Sequence, residues 1–181
     1  MQNSASIALK TKLEAWLKQA HSVLPIVIGK TAVDHFRENF TRQGFVNNGL
    51  QKWPDVKRRD PRSPWYGFDY KGEKRAEYRF ARDRKTGKTK AAAQKLNFSA
   101  AATKRDVLTS QRKELYNNIR YAPQAGGVAI ISDLPYSKVH NEGGTIKVFG
   151  KHPARLPKRQ FIGESKELSA KITQEILKHL Q

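Results

Sequence analysis

Apolar side chains recur at three- and four-residue steps along the first forty residues, which is the spacing of one helix face. Two rows of apolar residues fit this spacing: Leu9, Leu13, Trp16, Leu17 and Ala20, and then Val33, Phe36 and Phe40. The rows predict helices over residues 5–21 and 25–43. Pro25 is expected to break the chain between them, and Gly44 to stop the second helix. Together they would form a helical hairpin.

The second half of the chain mixes short extended runs with helical ones. The predicted elements are, in chain order, a helix over 103–116, a hairpin with runs at about 117–123 and 127–132 around Gly126-Gly127, a short helix in LPYSKVHNEGG, a strand in TIKVFG, a short strand in RQFIG, and a helix from about Ser165 to Leu180. In the last helix, Glu167 and Lys171 have the spacing of an ion pair. The pattern indicates an α+β fold, with a small antiparallel β-sheet packed against N- and C-terminal helices.

Residues 47–95 differ in character from the rest, because Pro and Gly interrupt them and Lys and Arg far outnumber Asp and Glu. We expect a long basic, loop-rich insertion within a single domain spanning residues 1–181, with one strand in AEYRFAR (76–82). Aromatic residues alternate with its charges. They either pin the loop onto the domain or form a surface for a partner protein or a nucleic-acid backbone.

The charge narrows the class of partner. The chain carries 35 Lys and Arg against 16 Asp and Glu, a formal net charge of +19. Such an excess favours nucleic acid or an acidic protein surface, and does not choose between them. There is no cysteine, which excludes disulfides and thiolate metal sites. No run approaches the roughly 20 apolar residues of a membrane span, and the first residues lack the pattern of a secretory signal, so no membrane partner is expected.

Motifs for catalysis are missing. KTGKTK (85–90) has Arg82 where a phosphate-binding loop needs glycine. The five histidines show no metal-ligand spacing, and no acid, base and nucleophile can be grouped. We therefore predict no enzyme activity, catalytic residue, cofactor or metal. The sequence motifs of standard nucleic-acid-binding modules are also missing. Non-specific contact with phosphates remains open for one set of basic residues: Lys57, Arg58, Arg59, Arg62, Lys85, Lys88 and Lys90.

Short motifs in a fixed order carry a family resemblance from about Leu108 to Leu180. RKELYNNIRY leads into VAIISD, YSKVHNEGG follows, and LPKRQFIG precedes the last helix. This order resembles the phage virion morphogenesis, or tail-completion, family of Mu- and P2-like phages. The matching residues are Tyr136, His140, Gly143, Pro157, Arg159, Phe161 and Gly163. Ser137 and Gln160 depart from the usual Ala and Pro of those motifs.

The resemblance implies a structural, non-enzymatic protein of the phage neck or tail, made in the host cytoplasm and carried in the virion. It implies a homo-oligomeric ring, six-fold in symmetry, that docks head to tail. The neighbours would be portal or adaptor proteins and tail-tube or tail-terminator proteins, with contact to packaged DNA left open. The motif residues would serve the interface, with Arg159 pairing a carboxylate, or the turn would merely orient the last helix. The alternative function is a stand-alone, non-specific nucleic-acid-binding protein.

Overall fold

The computed structural model describes residues 4–74, 97–148 and 152–180. The helices are α1 (Ser4–Arg42), α2 (Ala100–Lys104), α3 (Glu114–Asn118), α4 (Ser137–Glu142) and α5 (Lys166–Leu180). The strands are β1 (Gly44–Val46), β2 (Leu50–Lys52), β3 (Phe68–Lys74), β4 (Asn97–Phe98), β5 (Arg120–Gln124), β6 (Gly127–Ile131), β7 (Gly144–Val148) and β8 (His152–Leu156). The α+β prediction is confirmed, and the strands pair antiparallel in four two-stranded sheets.

The chain divides into two compact units. The first contains Met1–Trp53 and Gln111–Gln181, and the second contains Pro54–Ser110. The second unit overlaps the basic segment 47–95 expected from the sequence and continues beyond it. The strand expected at 76–82 lies outside the described residues.

Helix α1 is continuous through Pro25, so the predicted break and helical hairpin are wrong. A proline in a helix interior removes one hydrogen bond and crowds the preceding turn, at a cost of about 3 kcal/mol. Its fixed φ is nevertheless helical, and packing stabilises the residues that follow it. Ala32, Val33, Phe36 and Phe40 are all buried, as the apolar row predicts.

The end of α1 also differs from the prediction. The helix ends at Arg42, and Gln43 rather than Gly44 adopts the left-handed conformation, with φ of 55°. Both the backbone amide and the side-chain amide of Gln43 donate to the Phe40 carbonyl. This cap replaces the glycine that was expected to end the helix. Gly44 instead begins β1, which pairs with β2 from Gly44–Lys52 to Val46–Leu50.

The hairpin predicted around residues 117–132 is confirmed. Strands β5 and β6 pair in continuous register from Arg120–Ile131 to Gln124–Gly127, with Gly126 in the turn at φ of 76°. Helix α1 lies against it through Arg37, which donates to the Tyr116 carbonyl at 3.3 Å and to the Ile119 carbonyl at 3.1 Å. This side chain joins the C-terminal part of α1 to the segment that leads into β5.

The predicted helix over 103–116 is wrong. Helix α2 ends at Lys104, α3 begins at Glu114, and Leu108 and Lys113 between them have φ of 58° and 52°. Left-handed residues cannot sit inside a right-handed helix, so the apolar spacing in this segment reflects separate turns. Val107 and Leu115 are still buried, which explains why the spacing looked helical.

Near the C-terminus, the helical turns of α4, the strand β7 and the helix α5 are confirmed. The strand predicted in RQFIG is wrong, because β7 pairs with β8, from Gly144–Leu156 to Val148–His152. The RQFIG backbone bonds instead to the side chains of Asn39, Trp53 and Asn141 and to the backbone carbonyl of His140. The predicted Glu167–Lys171 pair is also wrong: Glu167 accepts from the Asn48 and Gly49 amides, and Lys171 pairs with Glu38 at 3.2 Å.

In the described part of the second unit, a largely buried ion pair and a short sheet hold separate segments together. Arg105 donates to Asp69 at 2.6 Å, with both side chains largely shielded from solvent. Arg58 donates to the carbonyls of residues 105 and 106. Strands β3 and β4 pair across a bulge, and Gly67 at φ of 67° lies directly against the Phe98 ring. The Trp65 and Phe68 rings meet edge to face at 5.3 Å, so aromatic residues here pack on one another.

A substitution at Gly29 of α1 tests how tightly the helix packs against the β5–β6 hairpin. A methyl group at this position would come within 2.2–2.8 Å of the Tyr121 ring. We expect Gly29→Ala to destabilise the protein by about 1–3 kcal/mol through overpacking, despite the better helix propensity of alanine. Urea denaturation measures the change. Gly127→Ala is the control, because no atom lies within 4 Å of that position. Equal stability of the two variants would contradict the close packing.

Candidate functional site

The segment LPKRQFIG begins where β8 ends, and it enters the core of the first unit. Phe161 is 1% exposed, and its ring centroid lies 5.4 Å from that of Phe40 on α1. The Phe40 ring also meets Trp53 at 5.5 Å and Tyr116 at 5.9 Å, both edge to face. Phe161 therefore completes an aromatic cluster that joins four segments distant in sequence, and its packing is internal to the chain.

A buried amide supports this cluster. Asn39 of α1 is 0% exposed, donates to the Phe161 carbonyl at 3.1 Å, and accepts from the Val46 amide at 3.2 Å. It thus joins the helix, the first strand and the final turn. The sequence analysis missed Asn39. Its signal was a polar residue placed three positions after Phe36, inside an otherwise apolar row.

Helix α4 holds the same turn from the other side. Asn141 accepts from the backbone amides of Phe161 and Ile162, at 2.9 and 3.0 Å. The Arg159 amide donates to the His140 carbonyl at 2.8 Å. The two motifs singled out in the sequence, YSKVHNEGG and LPKRQFIG, therefore form one hydrogen-bonded junction. Asn141, which lies within the first motif, was also missed.

Position 160 contributes through its backbone. The Trp53 indole donates to the Gln160 carbonyl at 2.7 Å. This bond needs only a carbonyl, which proline also has, so Gln160 in place of the usual Pro keeps this contact. The Gln160 side chain instead lies next to Gly163, where a methyl group would be 2.1 Å from its amide nitrogen.

Gly143 is required by its surroundings as well as by its backbone. It follows α4 with φ of 76°, and a methyl group there would lie 2.9 Å from the Lys158 amide nitrogen. The backbone of the final turn therefore passes too close for any side chain. Gly143 and Pro157 both serve the path of the chain: Pro157 is exposed and directly follows the last residue of β8.

Tyr136 and His140 lie at the rim of the junction. Their rings meet edge to face at 6.0 Å, and the Tyr136 hydroxyl donates to Glu114 at 2.9 Å. Burial, followed by the bond to Glu114, raises the pKa of Tyr136. Burial, followed by the positive charge of Arg159, lowers the pKa of His140. The His140 ring is therefore neutral at pH 7, and its buried Nδ1 has no hydrogen-bond partner among the described residues.

Arg159 is 5% exposed in this chain. Arg159 belongs to the second motif, and its charge acts on His140 of the first. The interface and carboxylate-pairing roles expected for Arg159 stay predictions, as do the interface roles of the other motif residues. Within residues 4–74, 97–148 and 152–180, no group of three His, Asp or Glu residues could hold a metal ion.

The predicted basic contact residues fall into distinct roles. Arg58 supports its own unit through two backbone carbonyls. Arg59 lies 3.5 Å from Asp55, and Arg62, whose side chain is 95% exposed, lies 3.7 Å from Asp60. Ion pairs this exposed contribute little to stability. Lys57 is exposed, whereas Lys85, Lys88 and Lys90 lie outside the described residues.

Comparison with known proteins supplies the family. The model of the phage virion morphogenesis family matches residues 73–181. The chain belongs to this family. The match includes both motifs of the junction, and it begins inside the segment 47–95 that lay outside the resemblance seen in the sequence. Membership of the phage virion morphogenesis family supports a structural role in the virion.

Other comparisons add no relative. No curated protein matches the chain, and no solved structure matches it. Among the described residues, no helix is both long enough and apolar enough to cross a membrane.

Asn39 is the position where the junction should be most sensitive. We expect Asn39→Ala to destabilise the protein by roughly 2–4 kcal/mol, since it leaves two buried backbone groups unpaired at about 1–3 kcal/mol each. Chemical denaturation measures the loss. Asn117→Ala is the matched control, because Asn117 is exposed and bonds only locally to the Arg112 carbonyl. A loss no larger than that of the control would contradict the bridging role.

Two buried histidines predict how stability depends on pH. Burial is the largest cause of the lowered pKa of both His35 and His140. As the pH falls below the ordinary histidine pKa of about 6.5, the unfolded chain takes up protons before the folded chain does. The free energy of unfolding should therefore fall between about pH 7 and pH 5, above the range in which carboxylates titrate.

The measurement that checks this pH dependence is the slope of the free energy of unfolding against pH. We expect the double variant His35→Gln/His140→Gln to flatten it, whatever the variant does to stability at pH 7. His21→Gln, a change at an exposed position of α1, is the control. A slope unchanged by the double substitution would show that other groups cause the acid sensitivity.

Proposed function

We propose that the protein is a neck or tail-completion component of the phage virion that assembles as a ring and docks the head to the tail. The observation that carries the proposal is the family match over residues 73–181, which includes the junction of α4 with the final turn. The resemblance of YSKVHNEGG and LPKRQFIG to tail-completion motifs supplies the finer assignment, including a six-fold ring of the 20.6-kDa chain.

The junction supports a structural role. The side chains of Asn39, Asn141 and Trp53 bond to backbone groups of the final turn. Such an arrangement fixes the path of the chain between β8 and α5, and it converts a short motif into a rigid surface. A ring subunit needs this rigidity, because small errors in the angle between subunits accumulate around a closed ring.

The positive charge supports docking to an acidic neighbour, such as a portal adaptor or a tail-tube surface. Lys57 and Arg62 are exposed, and the Arg62–Asp60 pair is too exposed to hold the guanidinium tightly. These two side chains are available to a partner, whereas Arg58 is used internally. Complementary charge of this kind raises the rate of association and selects the partner.

Electron microscopy of a phage lysate lacking this protein tests the proposal. We expect full heads beside separate or defective tails, and restoration of joined particles when the wild-type chain is supplied in trans. Supplying Lys57→Ser/Arg62→Ser should restore joining less well, although the changes are at the surface. Normal joined virions in the absence of the protein would contradict a role in assembly.

The rival function, non-specific nucleic-acid binding, rests on the net charge of +19. It predicts tight binding of DNA at low salt that falls steeply as salt rises, because phosphate contacts release counterions. Under the assembly proposal, we expect the purified chain to bind DNA weakly even at low salt. A fluorescence titration of labelled duplex against salt concentration separates the two functions.

A further inference from the structure

The N-terminal part of α1 is exposed, and no described part of the chain covers it. Every residue from 7 to 18 is exposed, and among them Leu9, Leu13, Trp16 and Leu17 are 69%, 54%, 44% and 41% exposed. We call residues 7–18 the arm. Large apolar side chains arranged in a row on one helix face normally pack against another protein surface. In the arm, such a row is exposed to solvent.

Helix α5 covers the second half of α1 and ends before it reaches the arm. The two helices run antiparallel: Glu167 lies beyond the end of α1 at Gly49, and Lys171 pairs with Glu38. Further along, Glu175 faces the region of Thr31 and Asp34. The last five residues of α5 add only about 7 Å at 1.5 Å per residue, so the arm extends past its end.

An acid-lined groove lies between α1 and α5. Its volume is about 440 Å³, and it is lined by Thr31, Asp34, His35, Glu38, Lys171, Gln174 and Glu175. Glu38 is paired with Arg42 and Lys171, and Glu175 with Lys178, whereas Asp34 has no ion pair among the described residues. Asp34 is exposed.

His35 indicates that a polar group belongs in this groove. The side chain is 2% exposed, and neither ring nitrogen has a hydrogen-bond partner among the described residues. Burying such atoms unpaired is unfavourable. A neutral imidazole offers one acceptor and one donor, and the acceptor suits a lysine ammonium. The exposed carboxylate of Asp34 favours the same group.

The arm carries the complementary chemistry. Lys10 and Lys12 flank its apolar row on either side, by the three- and four-residue spacing of a helix. The arm cannot reach the groove of its own chain, because Lys10 and Asp34 lie on the same helix, about 36 Å apart at 1.5 Å per residue. The groove that the arm occupies must therefore belong to another molecule.

We propose that the arm of one copy binds the α1–α5 groove of a second copy, with a lysine of the arm directed at Asp34 and His35 and its apolar row covering the adjacent face of α1. That face is continuous with the arm: Ala20, Leu24 and Val27 lie in the same helical row, and all three are partly exposed. This contact is the subunit contact of the proposed ring, and in that respect it rests on the proposed function. A ring closes when one contact is repeated from copy to copy.

Sedimentation velocity on the purified full chain, over a concentration series, tests the contact. We expect the wild type to self-associate, and Leu13→Asp/Leu17→Asp to weaken association by at least roughly a hundredfold, because burial of each leucine contributes more than a factor of ten. Both positions are exposed in the single chain, so folding should be retained. Thr11→Asp/Ala15→Asp adds the same charge to the opposite side of the arm and should associate as the wild type does.

A charge swap identifies the partner surface. Lys10→Glu/Lys12→Glu and Asp34→Lys should each weaken association about tenfold or more, and the two sets combined in one chain should recover much of the loss. A monomeric wild type, association that survives Leu13→Asp/Leu17→Asp, or association unchanged by Asp34→Lys would overturn the proposal. These measurements use purified protein, so a negative result leaves the role in head–tail joining to be decided separately by the lysate experiment.

Discussion

The first unit depends on the desolvated amide of Asn39. Because this side chain is fully buried, its two hydrogen bonds, to the Phe161 carbonyl and from the Val46 amide, have no competition from water. Loss of either hydrogen bond would leave a buried backbone group without a hydrogen-bond partner. The aromatic cluster around Phe40 is assembled about this point, with Trp53 arriving from β2 and Phe161 from the final turn. A single polar group thus fixes where three segments of the chain must meet.

The same junction explains the basic and aromatic turn LPKRQFIG that precedes the last helix. The turn has no regular strand partner, and Asn141, Asn39 and Trp53 satisfy its backbone in place of a sheet. This is how a segment can cross the core without secondary structure. Phe161 is used inside the chain, and Pro157 remains at the surface.

Local patterns in the sequence were sufficient for elements whose signal is local. The β5–β6 hairpin, the turns of α4 and the amphipathic α5 were all predicted, because glycine placement and apolar spacing determine them. The errors came where tertiary packing overrides local preference. Pro25 lies inside a helix, Gln43 rather than a glycine takes the left-handed cap, and Leu108 and Lys113 interrupt an apparently helical run. The motif residues were found, but two side chains that hold them in place were missed: Asn39, which belongs to no motif, and Asn141, which lies inside the first motif.

Pro25 also divides α1 into two cooperative units. Having no amide hydrogen, it cannot complete the helical ladder at its own position, and it lies between an exposed segment and a packed one. Most helical stability in proteins comes from tertiary packing, which the exposed first segment lacks and the buried second segment has. Backbone amides before residue 25 should thus exchange with solvent through local fraying, and those after it only through opening of the whole unit. The helix can reorganise at its N-terminal end without any change in the fold that it supports.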